Sequence, residues 1–270
     1  GAGDRRPEAA NIGADLKAGG GSRPVPSREA IAGDGYNTQG RYADMKLLVI
    51  NPNSDTSFTR LIDATARKTA SPGTELTCVN APDAPAFIEN YREWALCAPG
   101  MLRVLEEHGG AFDAAIVACT CDVNIDLLRE ATDRPVLGVG ECSFLMAMTL
   151  GERFSVLQTS ERSVPMKRLM IRRLGLEARC ASVRSVDERA TGETLEERMT
   201  DAGRLAVERD GAEVLTLGCA GLSGLDRRVS DALGVPVIDG VGVAVPMAEA
   251  LVRCGHRTSK VGRFRYESIS

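Results

Sequence analysis

The chain has 270 residues, a formal net charge of −4 and 43% apolar residues, enough for a sizeable core in one or two domains. Charges of both signs are mixed without a basic block and aromatics are only 4%, which argues against nucleic acid as a partner and against stacking platforms for bases. No apolar run approaches the roughly 20 residues of a membrane span and no signal-peptide stretch precedes the first strand, so no membrane association is expected.

Residues 1–44 are rich in Gly, Ala, Pro, Ser, Asp and Arg, include Gly19-Gly20-Gly21-Ser22 and lack apolar periodicity. They are expected to be disordered, a leader or an extension ahead of a start at Met45. An arm that folds onto another subunit is the minority reading.

From Met45 the pattern alternates. Leu47 to Ile50 reads as a strand, and Asn51-Pro52-Asn53-Ser54 as a turn in which Ser54 or Asp55 caps a helix running to about Ala70. A strand is expected over Glu75–Val79, a helix over Glu89–Glu107, a strand over Asp113–Ala118 and a helix over Val123–Ala131. Pro135 to Val139 then forms a strand and Ser143 to Leu150 a helix. The order restarts with a strand over Phe154–Leu157 and its polar exit Gln158-Thr159-Ser160. It continues with a helix over Glu161–Leu174, a strand over Glu177–Val183, a helix over Thr194–Asp210 and a strand over Glu213–Leu217. A helix over Leu222–Leu233, a strand over Pro236–Ile238 and a helix over Val243–Arg253 complete it, with Gly255 marking the end. Alternating β and α elements predict an α/β protein with parallel sheets and helices on both faces. The expected division is 45–150 for a first lobe, 151–255 for a second and 256–270 for a tail, with terminal elements open to exchange between lobes. The lobes are expected to be pseudo-two-fold related, with the site in the cleft between them, at the carboxyl ends of the strands.

Two cysteines hold matching places in this repeat. Cys119 follows the third strand of the first half and Cys219 the third strand of the second, 100 positions apart (219 − 119). A thiol with an ordinary pKa of about 8.5 is close enough to neutral for one to be ionised while its opposite is protonated. Such a pair suits removing a proton from one face of a carbon and returning it to the other. Each cysteine is followed by a helix whose N-terminal dipole favours a thiolate. One such cysteine alone is more often a packed strand end; two at matching positions reverse those odds.

Cys119-Thr120-Cys121 is a C-x-C run, but without a second close pair or a nearby histidine no metal is expected there. All eight cysteines are read as free thiols in a reducing, cytoplasmic compartment. Asn51 and Asn53 offer amides to a polar substrate, and Thr159 and Ser160 hold the equivalent place in the second half, where a helix cap is an equally good reading. Gly218-Cys219-Ala220-Gly221 lets a substrate approach the backbone closely. Phe87 and Ile88 follow a Pro-rich loop and are candidates for the pocket wall, whereas Trp94 is a better candidate for core packing. Asp122 is read as a helix cap. Gly138-Val139-Gly140 and Gly240-Val241-Gly242 lack the spacing of a dinucleotide loop, so no cofactor is expected.

Taken together, Val49-Ile50-Asn51-Pro52-Asn53-Ser54, Ala118-Cys119 with Asp122, Leu217-Gly218-Cys219-Ala220-Gly221, Val235-Pro236-Val237-Ile238-Asp239-Gly240 and Arg257-Thr258-Ser259-Lys260 resemble the hydantoin and allantoin racemases of the aspartate/glutamate racemase superfamily. The resemblance covers Met45 to about Lys260. It implies a cofactor-independent homo-oligomeric racemase with two Rossmann-like lobes and a small-molecule substrate. By it, Cys119 and Cys219 are the catalytic thiols, and Asn51, Thr159 and the backbone beside each cysteine hold the ring carbonyls. Ile88, Thr120, Ala220 and Gly221 complete the expected wall. One departure concerns the first loop: hydantoin racemases usually follow this cysteine with a bulky residue, Gly, Asp, Pro and Gly, where this chain has Thr120-Cys121-Asp122-Val123-Asn124. Other activities of the superfamily are the nearest alternatives: an amino-acid racemase, a maleate isomerase or an arylmalonate decarboxylase. A non-catalytic small-ligand-binding protein is the alternative from another class.

Overall fold

The structure is a computed structural model and describes residues 45–186 and 192–265. The expectation for residues 1–44 lies outside the described residues. Two four-stranded sheets, each entirely parallel, carry the molecule. The first has the order β2-β1-β3-β4, from β1 (Lys46–Asn51), β2 (Glu75–Asn80), β3 (Ala114–Val117) and β4 (Val136–Gly138). The second repeats it as β6-β5-β7-β8, from β5 (Phe154–Gln158), β6 (Cys180–Ser185), β7 (Val214–Leu217) and β8 (Val237–Ile238). In both sheets the central strands β1, β3, β5 and β7 are buried along almost their whole length. That is why they read as continuous apolar runs rather than alternating ones: helices cover a parallel sheet on both faces.

The helices are α1 (Thr56–Thr69), α2 (Tyr91–Glu107), α3 (Ile125–Ala131), α4 (Val139–Leu150), α5 (Val164–Arg173), α6 (Leu195–Asp210), α7 (Asp226–Leu233) and α8 (Gly240–Arg253). Several begin at a side-chain cap, α1 at Asp55, one of its two candidates in the sequence. Asp55 accepts from the Ser57 N–H at 2.7 Å, Asn90 from Glu93 N–H at 3.0 Å, and Thr194 with Glu197 forms a capping box. Two start earlier than their periodicity predicts, α4 at Val139 instead of Ser143 and α8 at Gly240 instead of Val243. The cause is a carboxylate at each start. Asp239 accepts from Val241 N–H at 2.9 Å, and Asp122, distant in sequence, accepts from Gly140 N–H at 2.8 Å and Glu141 N–H at 2.7 Å. The chain before β6 forms a short 3₁₀ turn, Glu177–Arg179, where a strand was expected; a second, Ala220–Leu222, follows Cys219, and α7 begins at Asp226 instead of Leu222.

The two sheets exchange covering helices. α8 follows the last strand of the second sheet, yet Val241, Ala244, Val245 and Ala248 pack in one cluster with Leu47, Val49, Ala114 and Ile116 of the first. α4 follows the first sheet, yet Phe144 and Ala147 pack with Phe154, Val156 and Val214 of the second. The tail returns to the first sheet's side as well. Lys260 Nζ donates to the carbonyls of Arg129 at 2.6 Å and Glu130 at 2.9 Å at the end of α3, where a helix C-terminus favours a cation. Among the described residues no helix is long and apolar enough to cross a membrane.

The α8 crossover is held by a buried carboxylate. Glu249 accepts from Ser71 N–H at 2.8 Å, Ser71 Oγ at 2.6 Å and Thr74 Oγ1 at 2.7 Å, with Arg253 3.9 Å away. Burial works to raise this carboxyl, but the Ser71 and Thr74 bonds and Arg253 outweigh it and hold it below the usual value. Its contribution is therefore present above the ordinary glutamate pKa and is lost as pH falls through the lowered one. Glu249→Gln should reduce unfolding free energy by about 1–3 kcal/mol at neutral pH. The deficit should shrink on acidification, when followed by denaturant titration at several pH values.

Candidate active site

The carboxyl ends of β1, β3, β5 and β7 open onto one cavity of about 510 Å³. Cys119, Cys219, Asn51, Asn53, Ile88, Thr120, Thr159, Ser160, Ala220 and Gly221, the residues singled out in the sequence, all line it. Phe87 lies on its wall, edge-to-face with Phe58 at 5.9 Å between ring centroids, while Trp94 packs against the core and donates its indole N–H to Asn124 at 3.1 Å.

The Asn51 amide is largely occupied by its own turn. Its Nδ2 donates to Asn53 Oδ1 at 2.9 Å and Thr59 Oγ1 at 3.0 Å, and its Oδ1 accepts from Asn53 N–H. Asn53 in turn accepts from Asp55 N–H at 3.0 Å, so the Asn-Pro-Asn segment is rigid before any ligand arrives. Ser160 caps the turn that follows β5, accepting from Arg162 N–H at 3.3 Å.

Both thiols are half-buried and free. Burial pushes Cys219 up, opposed by the Gly221 N–H at 3.4 Å, the Thr159 hydroxyl and the charge of Lys167. On the other wall the neighbouring Cys121 thiol, together with burial, raises Cys119 well above the ordinary thiol value. Cys119 in turn, aided by Lys167, lowers Cys121 to about 6. No regular helix follows either cysteine at once. Cys219 caps a 3₁₀ turn, and α3 begins only at Ile125, so local N–H groups act on the sulfurs in place of the expected helix dipoles. Among the described residues no group of three or more His, Cys, Asp and Glu is gathered to hold a metal.

Asp122 is a cap, but of α4 and not of the helix that follows it in sequence. Burial and the neighbouring Glu141 push its carboxyl up to about 8. Its backbone adopts φ +48°, which turns the chain sharply after Cys121 and aims the side chain across to α4.

Three contributors were not singled out in the sequence. Gln158, at the end of β5, is buried; its Oε1 accepts from Ser163 Oγ at 3.3 Å and its Nε2 has no partner. Its carboxamide has room beside the second thiol because residue 218 is glycine, where a Cβ would sit 2.7 Å from Gln158 Cδ. Arg198 reaches the cavity from α6. Lys167, fully buried on α5, donates to the Thr120 carbonyl and faces the Phe144 ring at 5.8 Å. A signal for it existed: Lys167 shares a buried stripe with Met166, Met170 and Ile171, an apolar face on which a lysine is out of place.

The family model for Asp/Glu/hydantoin racemases matches residues 47–248. The chain belongs to the Asp/Glu/hydantoin racemase family. It is an enzyme of the isomerase class, a racemase by that membership. A hydantoin racemase of Rhizobium meliloti is 39% identical over 233 residues, 83% of this chain and 96% of that protein. Among solved structures, an allantoin racemase from Klebsiella pneumoniae superposes with a TM-score of 0.79 at 31% identity, covering 84% of this chain and 95% of that one. An allantoin racemase from Pseudomonas fluorescens does so with 0.77 at 34% identity, covering 84% and 100%. Within this racemase fold the loop from Thr120 to Asn124 packs directly under α4. A Cβ on Gly140 would meet the Thr120 carbonyl oxygen at 2.3 Å and Met170 Cε at 2.7 Å. Gly140→Ala should therefore destabilise the protein by about 1–3 kcal/mol and change the alkylation rate of Cys119, measured by denaturant midpoint and peptide mass spectrometry.

Proposed function

We propose that the protein racemises a 5-monosubstituted hydantoin or an allantoin-like compound, with Cys119 and Cys219 as the opposed acid and base. The observation that carries this is the placement of the two thiols at equivalent strand ends of the two sheets, lining a single cavity. A C5 proton beside a carbonyl is acidified because the resulting carbanion spreads onto oxygen and flattens the ring. One sulfur as thiolate removes that proton, and the opposite sulfur as thiol delivers another to the far face. The roles are then exchanged, so turnover in the reverse direction uses the same groups.

The oxygen on which charge builds needs donors already in place. Gln158 Nε2 supplies one, since it is buried, lines the cavity and has no other partner. Thr159 stands next to it on the same strand end. Phe58, Phe87 and Ile88 form an apolar wall, which supports an alkyl or aryl substituent over the ureido group of allantoin.

An enantiopure 5-substituted hydantoin in deuterium oxide should lose optical rotation and exchange its C5 proton. Cys119→Ser and Cys219→Ser should each lower racemisation by roughly 10³-fold or more, while each retains exchange with one enantiomer. Full racemisation by either variant would refute the two-thiol mechanism. Gln158→Leu should lower kcat/KM by roughly 10²-fold, mostly in kcat, because its donor acts on charge that develops in the transition state. A panel with allantoin, alkyl and aryl hydantoins, aspartate, glutamate and maleate ranks the substrates; a preference for the open-chain acids would overturn the hydantoin reading.

A further inference from the structure

Lys167 is a buried cation that the proposed reaction does not use. Placing an ammonium in a protein interior is costly unless polar or charged groups replace its water. The groups around Lys167 Nζ are specific. It donates to the Thr120 carbonyl, one residue from both Cys119 and Cys121, and lies 5.8 Å from the Phe144 centroid. The carbonyl and the ring carry only partial negative charge. Asp122 is also close enough to feel Lys167, but burial and the neighbouring Glu141 push its carboxyl up to about 8, which disfavours a charge there. Glu141, on α4, is paired with Arg129. Arg173, on the same helix as Lys167, is paired with Asp126 at 2.7 Å and points away. The other groups able to take a full negative charge are the thiols of Cys119 and Cys121, on either side of the residue whose carbonyl Lys167 holds, both lining the cavity that Cys219 also lines.

The same lysine has a mechanical effect. Its helix, α5, belongs to the second half of the chain, whereas Thr120 belongs to the first. Thr120 Oγ1 donates to the Gly218 carbonyl beside Cys219. The residue between the two first-half sulfurs is therefore tied to the second half through both its hydroxyl and its carbonyl. Any change at Lys167 alters the seat of Cys119 and the charge beside it together.

We propose that Lys167 is a positioning residue for the first-half thiols: its ammonium holds a negative charge on the Cys119/Cys121 pair and pins the turn between them against the second half. As a statement about turnover this rests on the two-thiol reading above; as a statement about thiol acidity it stands apart from it.

Alkylation of each cysteine by iodoacetamide across a pH series, read by peptide mass spectrometry, tests the acidity directly. In the wild type, one of Cys119 and Cys121 should alkylate with a midpoint at least one unit below the ordinary thiol value. Lys167→Met should raise that midpoint by at least one unit, a tenfold or greater loss of thiolate at neutral pH, and Lys167→Arg should restore most of it. With a hydantoin substrate, Lys167→Met should lower kcat at least tenfold with KM changed less than threefold, and the acid limb of the kcat profile should move upward with the thiol. A folded Lys167→Met with unshifted alkylation overturns the proposal. So does a wild type in which neither Cys119 nor Cys121 titrates below the ordinary value, a result that does not depend on any variant folding. A wild type with a low thiol midpoint but no C5 exchange refutes the racemase reading alone and leaves the acidity assignment supported.

Discussion

The hydrogen bonds at Thr120 set the geometry on which the site depends. This one residue lies between two sulfurs of the first half. It gives its hydroxyl proton to the Gly218 carbonyl of the second and accepts from Lys167 through its own carbonyl. A pair of acid/base groups can act on opposite faces of one carbon only if their separation is held within a few tenths of an ångström. Two sheets with separate cores have no intrinsic reason to keep such a distance. The exchanged helices α4 and α8 set their coarse relation by sharing clusters across the sheets, and the bonds at Thr120 set the fine one.

The electrostatics of the cavity follow from the same arrangement. The Cys121 thiol and burial raise Cys119, and burial raises Cys219. Local donors offset that unequally. Cys219 has the Gly221 N–H and Thr159, whereas at Cys119 the Cys121 thiol raises the group further and only a backbone N–H and the Lys167 charge oppose it. The walls are therefore not equivalent despite the repeat. The loop in which this chain departs from the usual hydantoin racemase pattern is the one that creates the difference, because Cys121 and Thr120 both belong to it.

Much of the fold was legible in the sequence. Continuous apolar runs of four to six residues alternating with amphipathic segments specify parallel strands and covering helices, since that pattern is stable only when both sheet faces are buried. Asp55 marked the start of α1 because a cap acts within its own turn. The start of α4 was less legible, for the opposite reason: Asp122 caps that helix from far off in the chain, and no local signal records that.

The site divides along the same line. Cys119, Cys219, Asn51 and Thr159 could be read as strand-end residues because the end of a strand is a local property and a parallel sheet directs all such ends to one side. Family membership was carried by the short motifs around them. Which side chains converge from elsewhere, and which polar atoms are left without partners, was decided only by packing. Gln158 is an ordinary strand residue until Gly218 leaves space for its amide, and Lys167, out of place on an apolar helix face, has no legible partner until α5 turns that face onto Thr120. Pairing, burial and charge environment depend on three-dimensional neighbours whose sequence separation is of no consequence to the forces between them. The sequence by itself therefore determined the strands, their order of ends and the two thiols, and the tertiary structure alone decided what surrounds those thiols.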